Sequence, residues 1–321
     1  MFFVIWGHCG IVEEIDQYIY SFHMPAYFMI SGMVFSFNTE FRFFPMLKKK
    51  VKGLLIPYVV LNLYVIPVWY INTCTGMNDP FPIWKVLIGI LFSNRLSGFP
   101  MPSNTTWFIT CLFLTEILFF VFRILIKKDR IFVPVLIACW IAFYFLVGLP
   151  HSGGGFWHVE SAVTAAMFYL AGYLFMKHFS QIKAFFTGHP VRNAWIISGL
   201  YIVGFATCFI NGRVSMIGDD LQNPVLFFIS ALSTSFATVL CFVKLSEFPK
   251  FDEYMHVCDR VGKATLPYIA FQTALIKIMI FFIPLFHIRT EPMRVLISLI
   301  IYFAFLPAAE AINRITPFRK K

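Results

Sequence analysis

Nine long apolar runs punctuate the chain, at about 17–37, 53–75, 105–126, 131–149, 159–176, 193–210, 224–243, 264–286 and 294–313. Each is close to the roughly 20 residues that an α-helix needs to cross the hydrocarbon of a bilayer. Composition agrees: 59% of the residues are hydrophobic and only 13% charged, where a soluble domain is about a quarter charged. A shorter run from Met1 to Cys9 adds a tenth segment, and the apolar stretch at 83–92, too short to span, reads as an interfacial or re-entrant helix. The expected fold is therefore all-α, a polytopic transmembrane bundle of about ten helices. No polar stretch is long enough for a separate soluble domain and no repeat appears, so residues 1–321 form one membrane domain. Internal prolines at Pro57, Pro67, Pro134, Pro267, Pro284 and Pro307 fit this reading, because neighbouring helices can re-satisfy the carbonyls they free.

The net charge of +10 raises the question of a nucleic-acid partner, but the cations stand in short clusters between apolar runs. Of the 26 Lys and Arg, 20 fall in one set of alternate loops. These are Arg42 and Lys48, Lys49, Lys50 and Lys52, then Arg123, Lys127, Lys128 and Arg130, then Lys177, Lys183 and Arg192. Lys244, Lys250, Arg260 and Lys263 follow, with Arg314, Arg319, Lys320 and Lys321 at the end. The opposite set holds five, Lys85, Arg95, Arg213, Arg289 and Arg294, and Lys277 lies inside an apolar run. By the positive-inside rule both termini are expected in the cytoplasm. No nucleic-acid partner is expected, since no soluble basic fold is present.

The seven cysteines include no CxxC pair and mostly lie in apolar runs, which reads as buried small side chains rather than a disulfide or zinc framework. The first run has no basic n-region or small-residue cleavage site and is too short to span, so the first helix is expected to be truncated, with its true start upstream of Met1.

Ionisable groups in a membrane domain are costly and thus functional candidates. His8 sits toward the outer half of the first run, and His23 opens the next helix on the same side. Packed as a hairpin, these helices bring two imidazoles within reach, the side chain best suited to exchange protons near neutral pH. Either ring also fits a plain interfacial hydrogen-bonding role. Glu116, Lys277 and Glu310 lie within apolar runs and are read first as structural pairs across the bundle. His151 and His158 flank a Gly-rich turn, a weak pattern for metal. The Lys48–Lys52 cluster suits anionic lipid headgroups or a phosphorylated cytoplasmic donor equally. The long 76–104 connection is a reasonable place to hold an acceptor.

The string Trp6-Gly7-His8, followed by Phe22-His23-Met24-Pro25-Ala26-Tyr27-Phe28-Met29-Ile30-Ser31-Gly32, resembles the start of the membrane-bound acyltransferase 3 family, especially its FHMP-type sugar O-acetylase-like members. The resemblance continues through Lys48–Tyr58 with its LLIPY ending, Trp107-Phe108, Phe168–Tyr173 and Asn211–Met216. It implies transfer of an acyl group, usually acetyl from cytoplasmic acetyl-CoA, to a hydroxyl of a glycan or lipid-linked sugar at the outer face. Acetyl-CoA is then a co-substrate, and no permanently bound cofactor or metal is expected. The resemblance makes His8 the general base or acyl relay. It gives His23, Ser31 and Asn104 the shaping of the pocket and the stabilising of the oxyanion, and assigns Lys50, beside Lys52, to CoA phosphates or to holding the site electrostatically. Trp107 and Glu116 complete the candidate set. The chain departs from the family in having Lys50 where Arg is frequent, Gly53 where a second Arg is common, and Gln272 where many relatives carry His. Gln272 can hydrogen-bond but not titrate. The expected setting is a bacterial inner membrane, serving exopolysaccharide or cell-envelope modification. A transporter or flippase for a glycolipid or small solute, and an inactive acyltransferase relative, are the alternatives; the lack of repeated halves weighs against transport.

Overall fold

A computed structural model describes residues 1–35, 42–93, 97–147, 156–218, 220–282 and 290–315. His151, Pro284, Asn94, Arg95, Arg289 and Arg319 to Lys321 lie outside the described residues.

Among the described residues the fold is helical. It opens with α1 (Phe2–Gly7), α2 (Glu13–Met33) and α3 (Phe43–Lys50), which passes through a π-helical turn, Val51–Leu55, into α4 (Ile56–Cys74). Next come α5 (Ile83–Phe92), α6 (Trp107–Leu125), α7 (Asp129–Val147) and α8 (Val159–Lys177). They are followed by α9 (Phe179–Phe186), α10 (Pro190–Asn211) and α11 (Pro224–Leu245). Two short helices, α12 (Phe251–Tyr254) and α13 (His256–Lys263), lead to α14 (Thr265–Phe282), α15 (Glu291–Ala304) and α16 (Leu306–Ile315).

Seven of the described helices, the α3–α4 unit being counted as one, are long and apolar enough to cross a membrane, or eight if α15 and α16 form one bent span. The expected ten is thus not reached by length and composition alone. α2 has 21 residues but carries Glu13, Glu14, Asp16, Gln17 and His23, which lower its mean hydropathy, and α1 has six residues. The 294–313 run divides with a 43° bend between α15 and α16, where Pro307 lacks the N–H that would bond Phe303 and its ring crowds that carbonyl. Pro57 acts similarly one turn after Gly53, and the π-helical turn precedes it directly. α5, with ten residues, is the short apolar helix expected at 83–92.

The centre of the bundle is α2 laid against α8, flanked by α6 and α11. Lipid supplies no hydrophobic drive between helices, so backbone proximity through small residues does that work. A Cβ on Gly172 would lie 1.8 Å from the Met29 carbonyl oxygen, and one on Gly32 2.0 Å from that of Tyr169. Around this crossing Phe28, Phe108, Phe119, Phe168, Tyr169 and Tyr173 form the main apolar core.

Cations of each set find their own partners among the described residues. In the richer set Asp129 pairs with both Arg123 (3.0 Å) and Lys177, Lys244 donates to the Phe186 carbonyl, and Arg260 grips Glu310 at 2.7 Å. In the poorer set Arg213 pairs with Asp16 at 2.5 Å and Arg294 with Glu291 at 3.2 Å. Lys277 donates to Asn78 Oδ1 at 2.5 Å and the Met77 carbonyl at 3.2 Å. Glu310 and Lys277 therefore do not pair with one another.

Replacing Gly172 by Leu is expected to destabilise the protein by more than about 2 kcal/mol, since the overlap is with backbone that cannot rotate away. Gly53→Ala, which meets nothing within 4 Å, serves as the control; thermal unfolding of the purified protein in detergent measures both.

Candidate functional site

α2 presents Tyr20, His23, Met24 and Tyr27 at i, i+3, i+4 and i+7, which places all four on one helical face. That face borders a cavity of about 230 Å³, and the other walls come from distant parts of the chain. Val4 and His8 arrive from α1, Asn104 and Thr105 from the 3-10 turn before α6, and Trp107 and Phe108 from its first turn. Ser215 to Ile217 form a loop wall, and Ile269 and Gln272 project from α14.

The two histidines thus share one cavity, and the Tyr20 ring packs against both. Its ring centroid lies 6.3 Å from that of His8 and 5.0 Å from that of His23, both edge-on. His23 Nδ1 lies 2.7 Å from the Ile19 carbonyl oxygen. A carbonyl only accepts, so in the neutral ring Nδ1 carries the hydrogen and Nε2 keeps its lone pair. The His8 imidazole makes no hydrogen bond among the described residues, while the backbone N–H of His8 donates to the Ile5 carbonyl at 3.1 Å; the residue is the C-cap of α1, half-buried at the cavity.

Polar contacts clamp the walls. Thr105 Oγ1 donates to the Ile269 carbonyl, tying the 3-10 turn to α14. Ser161 Oγ donates to the Met216 carbonyl at 2.8 Å, and Ser215 exchanges backbone hydrogen bonds with Asp220, which shapes the 213–220 loop. Arg213 stacks 4.6 Å above the Tyr20 ring while bonded to Asp16. That bond holds its guanidinium above the ordinary value, so Arg213 stays charged on the ring that packs against both histidines.

Of the residues expected from sequence, His8, His23, Asn104 and Trp107 meet here. Trp107 also packs 5.2 Å from the His158 ring. His158 Nε2 bonds the Ser93 carbonyl at 2.9 Å, a structural anchor, and no cluster of three metal-ligating side chains occurs among the described residues. Ser31 is not at the cavity: its Oγ donates to the Tyr27 carbonyl one turn back, at 2.8 Å. Ser31 stands on the same helical face as Tyr20 and Tyr27 but one turn, about 6 Å, further along α2, beyond the cavity lining.

Lys50, Lys52 and Glu116 do not line this cavity, and Lys50 and Glu116 pair elsewhere. Glu116 lies nine residues into α6 from Trp107, about 13 Å along the axis at 1.5 Å per residue. Lys50 Nζ bonds Glu116 Oε1 at 2.5 Å, with the carboxylate side chain only 7% exposed. Lys48, Lys49 and Lys52 are exposed. The structural pairing expected for Glu116 thus has Lys50 as its partner.

Tyr20, Tyr27, Thr105 and Ser215 were not among the expected residues. Tyr20 was findable, since it stands three residues before His23 on the same face; Ser215 was not, because its place depends on how the loop folds back.

The acyltransferase 3 family model, described as an acyltransferase domain, matches residues 1–312. The chain belongs to this family. This family member is accordingly a membrane acyltransferase, consistent with its several apolar helices. No curated protein and no solved structure matches the chain.

Lys50→Met is expected to cost about 2–3 kcal/mol, because it strands the Glu116 carboxylate without its ammonium. Lys50→Met combined with Glu116→Gln should recover most of that loss in the same thermal unfolding measurement.

Proposed function

We propose that this acyltransferase moves an acyl group, acetyl by preference, from cytoplasmic acyl-CoA to a hydroxyl of a glycan or lipid-linked sugar at the outer face of a bacterial inner membrane. The observation that carries the reading is the convergence of His8 and His23 on one cavity walled by Asn104 and the 215–217 loop, segments that the charge pattern assigns to the outer side.

His8 removes the proton from the acceptor hydroxyl as its oxygen attacks the thioester carbonyl carbon. The C–O bond forms, the carbonyl electron pair moves onto oxygen, and the tetrahedral intermediate collapses with cleavage of the C–S bond. The departing thiolate takes the proton back from the imidazolium, so acyl ester and free CoA are the products. His23, held by the Ile19 carbonyl, keeps Nε2 as an acceptor and orders the acceptor hydroxyl or the partner ring. The Asn104 carboxamide is the donor for the developing oxyanion. Lys48, Lys49 and Lys52 meet the CoA phosphates as point charges, while Lys50, neutralised by Glu116, holds the entry in shape.

Full chain reconstituted in proteoliposomes with acetyl-labelled CoA and envelope glycans is expected to pass label to glycan. His8→Ala and His23→Ala should each lower the rate at least about 100-fold, the range of a positioned acid–base group, with thermal unfolding unchanged. Label transfer that is indifferent to His8→Ala would overturn the assignment. Movement of intact glycan without labelling would replace it with transport.

A further inference from the structure

Gln272 is the anomaly of the cavity. It is 0% exposed on α14, yet neither its Nε2 nor its Oε1 has a hydrogen-bond partner among the described residues. A buried carboxamide left unpaired at both ends costs the desolvation of two groups, and native proteins rarely leave such groups without use. Its side chain lines the same cavity as His8 and His23. The ends of the amide differ in what they require: Nε2 donates and needs an acceptor atom, whereas Oε1 accepts and needs a donor.

The thioester group itself offers only a carbonyl acceptor and would leave Oε1 unpaired, so a ligand that satisfies both ends must bring a donor and an acceptor side by side, as the pantetheine amides of acyl-CoA and the hydroxyls of a sugar both can. Two adjacent hydroxyls of a sugar ring offer one donor and one acceptor at the spacing of a carboxamide. Trp107 and Tyr20 add aromatic walls for the apolar face of a ring. Thr105 Oγ1, on the same wall, is committed to the Ile269 carbonyl.

We propose that Gln272 is the residue that reads the acceptor: its carboxamide holds a vicinal diol of a pyranose and so selects which neighbouring hydroxyl faces His8. The inference rests on the acceptor being a sugar, as argued above, but concerns binding and regiochemistry rather than the acyl-transfer step. Gln272 is a specificity-determining residue in this assignment, and the proton is handled elsewhere.

The test uses the full chain in nanodiscs, with binding of a panel of methyl pyranosides (gluco, galacto and manno, and the monodeoxy derivatives of each) read by tryptophan fluorescence. Wild type is expected to bind at least one of the parent pyranosides and to lose about tenfold in affinity when either hydroxyl of one adjacent pair is removed. Gln272→Met, close in volume and without the amide, should bind that parent sugar about tenfold more weakly and no longer distinguish it from those deoxy derivatives. Unchanged affinity in Gln272→Met, persistent discrimination by the variant, or no binding of any pyranoside to folded wild type would each overturn the proposal. Gln272→Leu provides a second apolar variant should the methionine form fail to fold, with thermal unfolding as the control. Label transfer from acetyl-CoA is measured separately. Transfer that survives with unaltered sugar preference in Gln272→Met removes the diol role and leaves the acyltransferase reading standing, whereas sugar binding without transfer does the reverse.

Discussion

The contact between the α2 and α8 backbones at Gly32 and Gly172 is the constraint on which the rest of the arrangement depends. In hydrocarbon a larger apolar side chain gains nothing by leaving lipid for a neighbouring helix, so close van der Waals approach must supply the affinity. With Cβ positions 1.8 and 2.0 Å from opposing carbonyl oxygens, the two helices approach as closely as backbone allows. The crossing fixes the rotation of α2 about its axis. Tyr20, His23, Met24 and Tyr27 consequently turn to one side, where α1, α6 and α14 leave a cavity.

That rotation also explains the unusual polarity of α2. A helix facing lipid on all sides would not tolerate Asp16, Gln17 and His23. Here Asp16 holds Arg213, Gln17 donates to the Cys208 carbonyl at 2.8 Å, and His23 donates to its own helix. Each polar group is consumed by a neighbour, as membrane depth demands. The outcome is a helix whose composition falls below that of an ordinary span because it builds the site. Gln272 departs from this thrift at both ends of its carboxamide, and that state at the cavity is what points to a ligand.

Charge is organised along the other axis. The basic run ending in Lys52 and the histidine cavity lie in different parts of the bundle, with α6 running between Glu116 and Trp107. A donor carrying phosphates and an acceptor carrying hydroxyls want opposite environments, one cationic and wet, the other enclosed and rich in neutral hydrogen-bonding groups. The Lys50–Glu116 pair sits between these regimes, partly shielded, so its charge is largely spent within the protein. The exposed Lys48, Lys49 and Lys52 retain theirs.

Sequence by itself determined the helical class and the family, grouped the cations in alternate loops and singled out His8 and His23 as candidates. These follow from local quantities: run length, loop charge and a motif within 32 residues of the start. It also flagged Asn104, Trp107 and Gln272, each at an identifiable motif or loop. Only the tertiary structure decided which of these meet. Ser31, eight residues and about 12 Å along the axis from His23, lies beyond the cavity lining, while Gln272, more than 240 positions further on, belongs to it. The partners of Glu116, Lys277 and Glu310 were likewise undetermined by spacing, since a buried charge reveals its cost but not its counter-group. Helix rotation and the close approach of backbones are properties of packed pairs, and no single run of residues carries them.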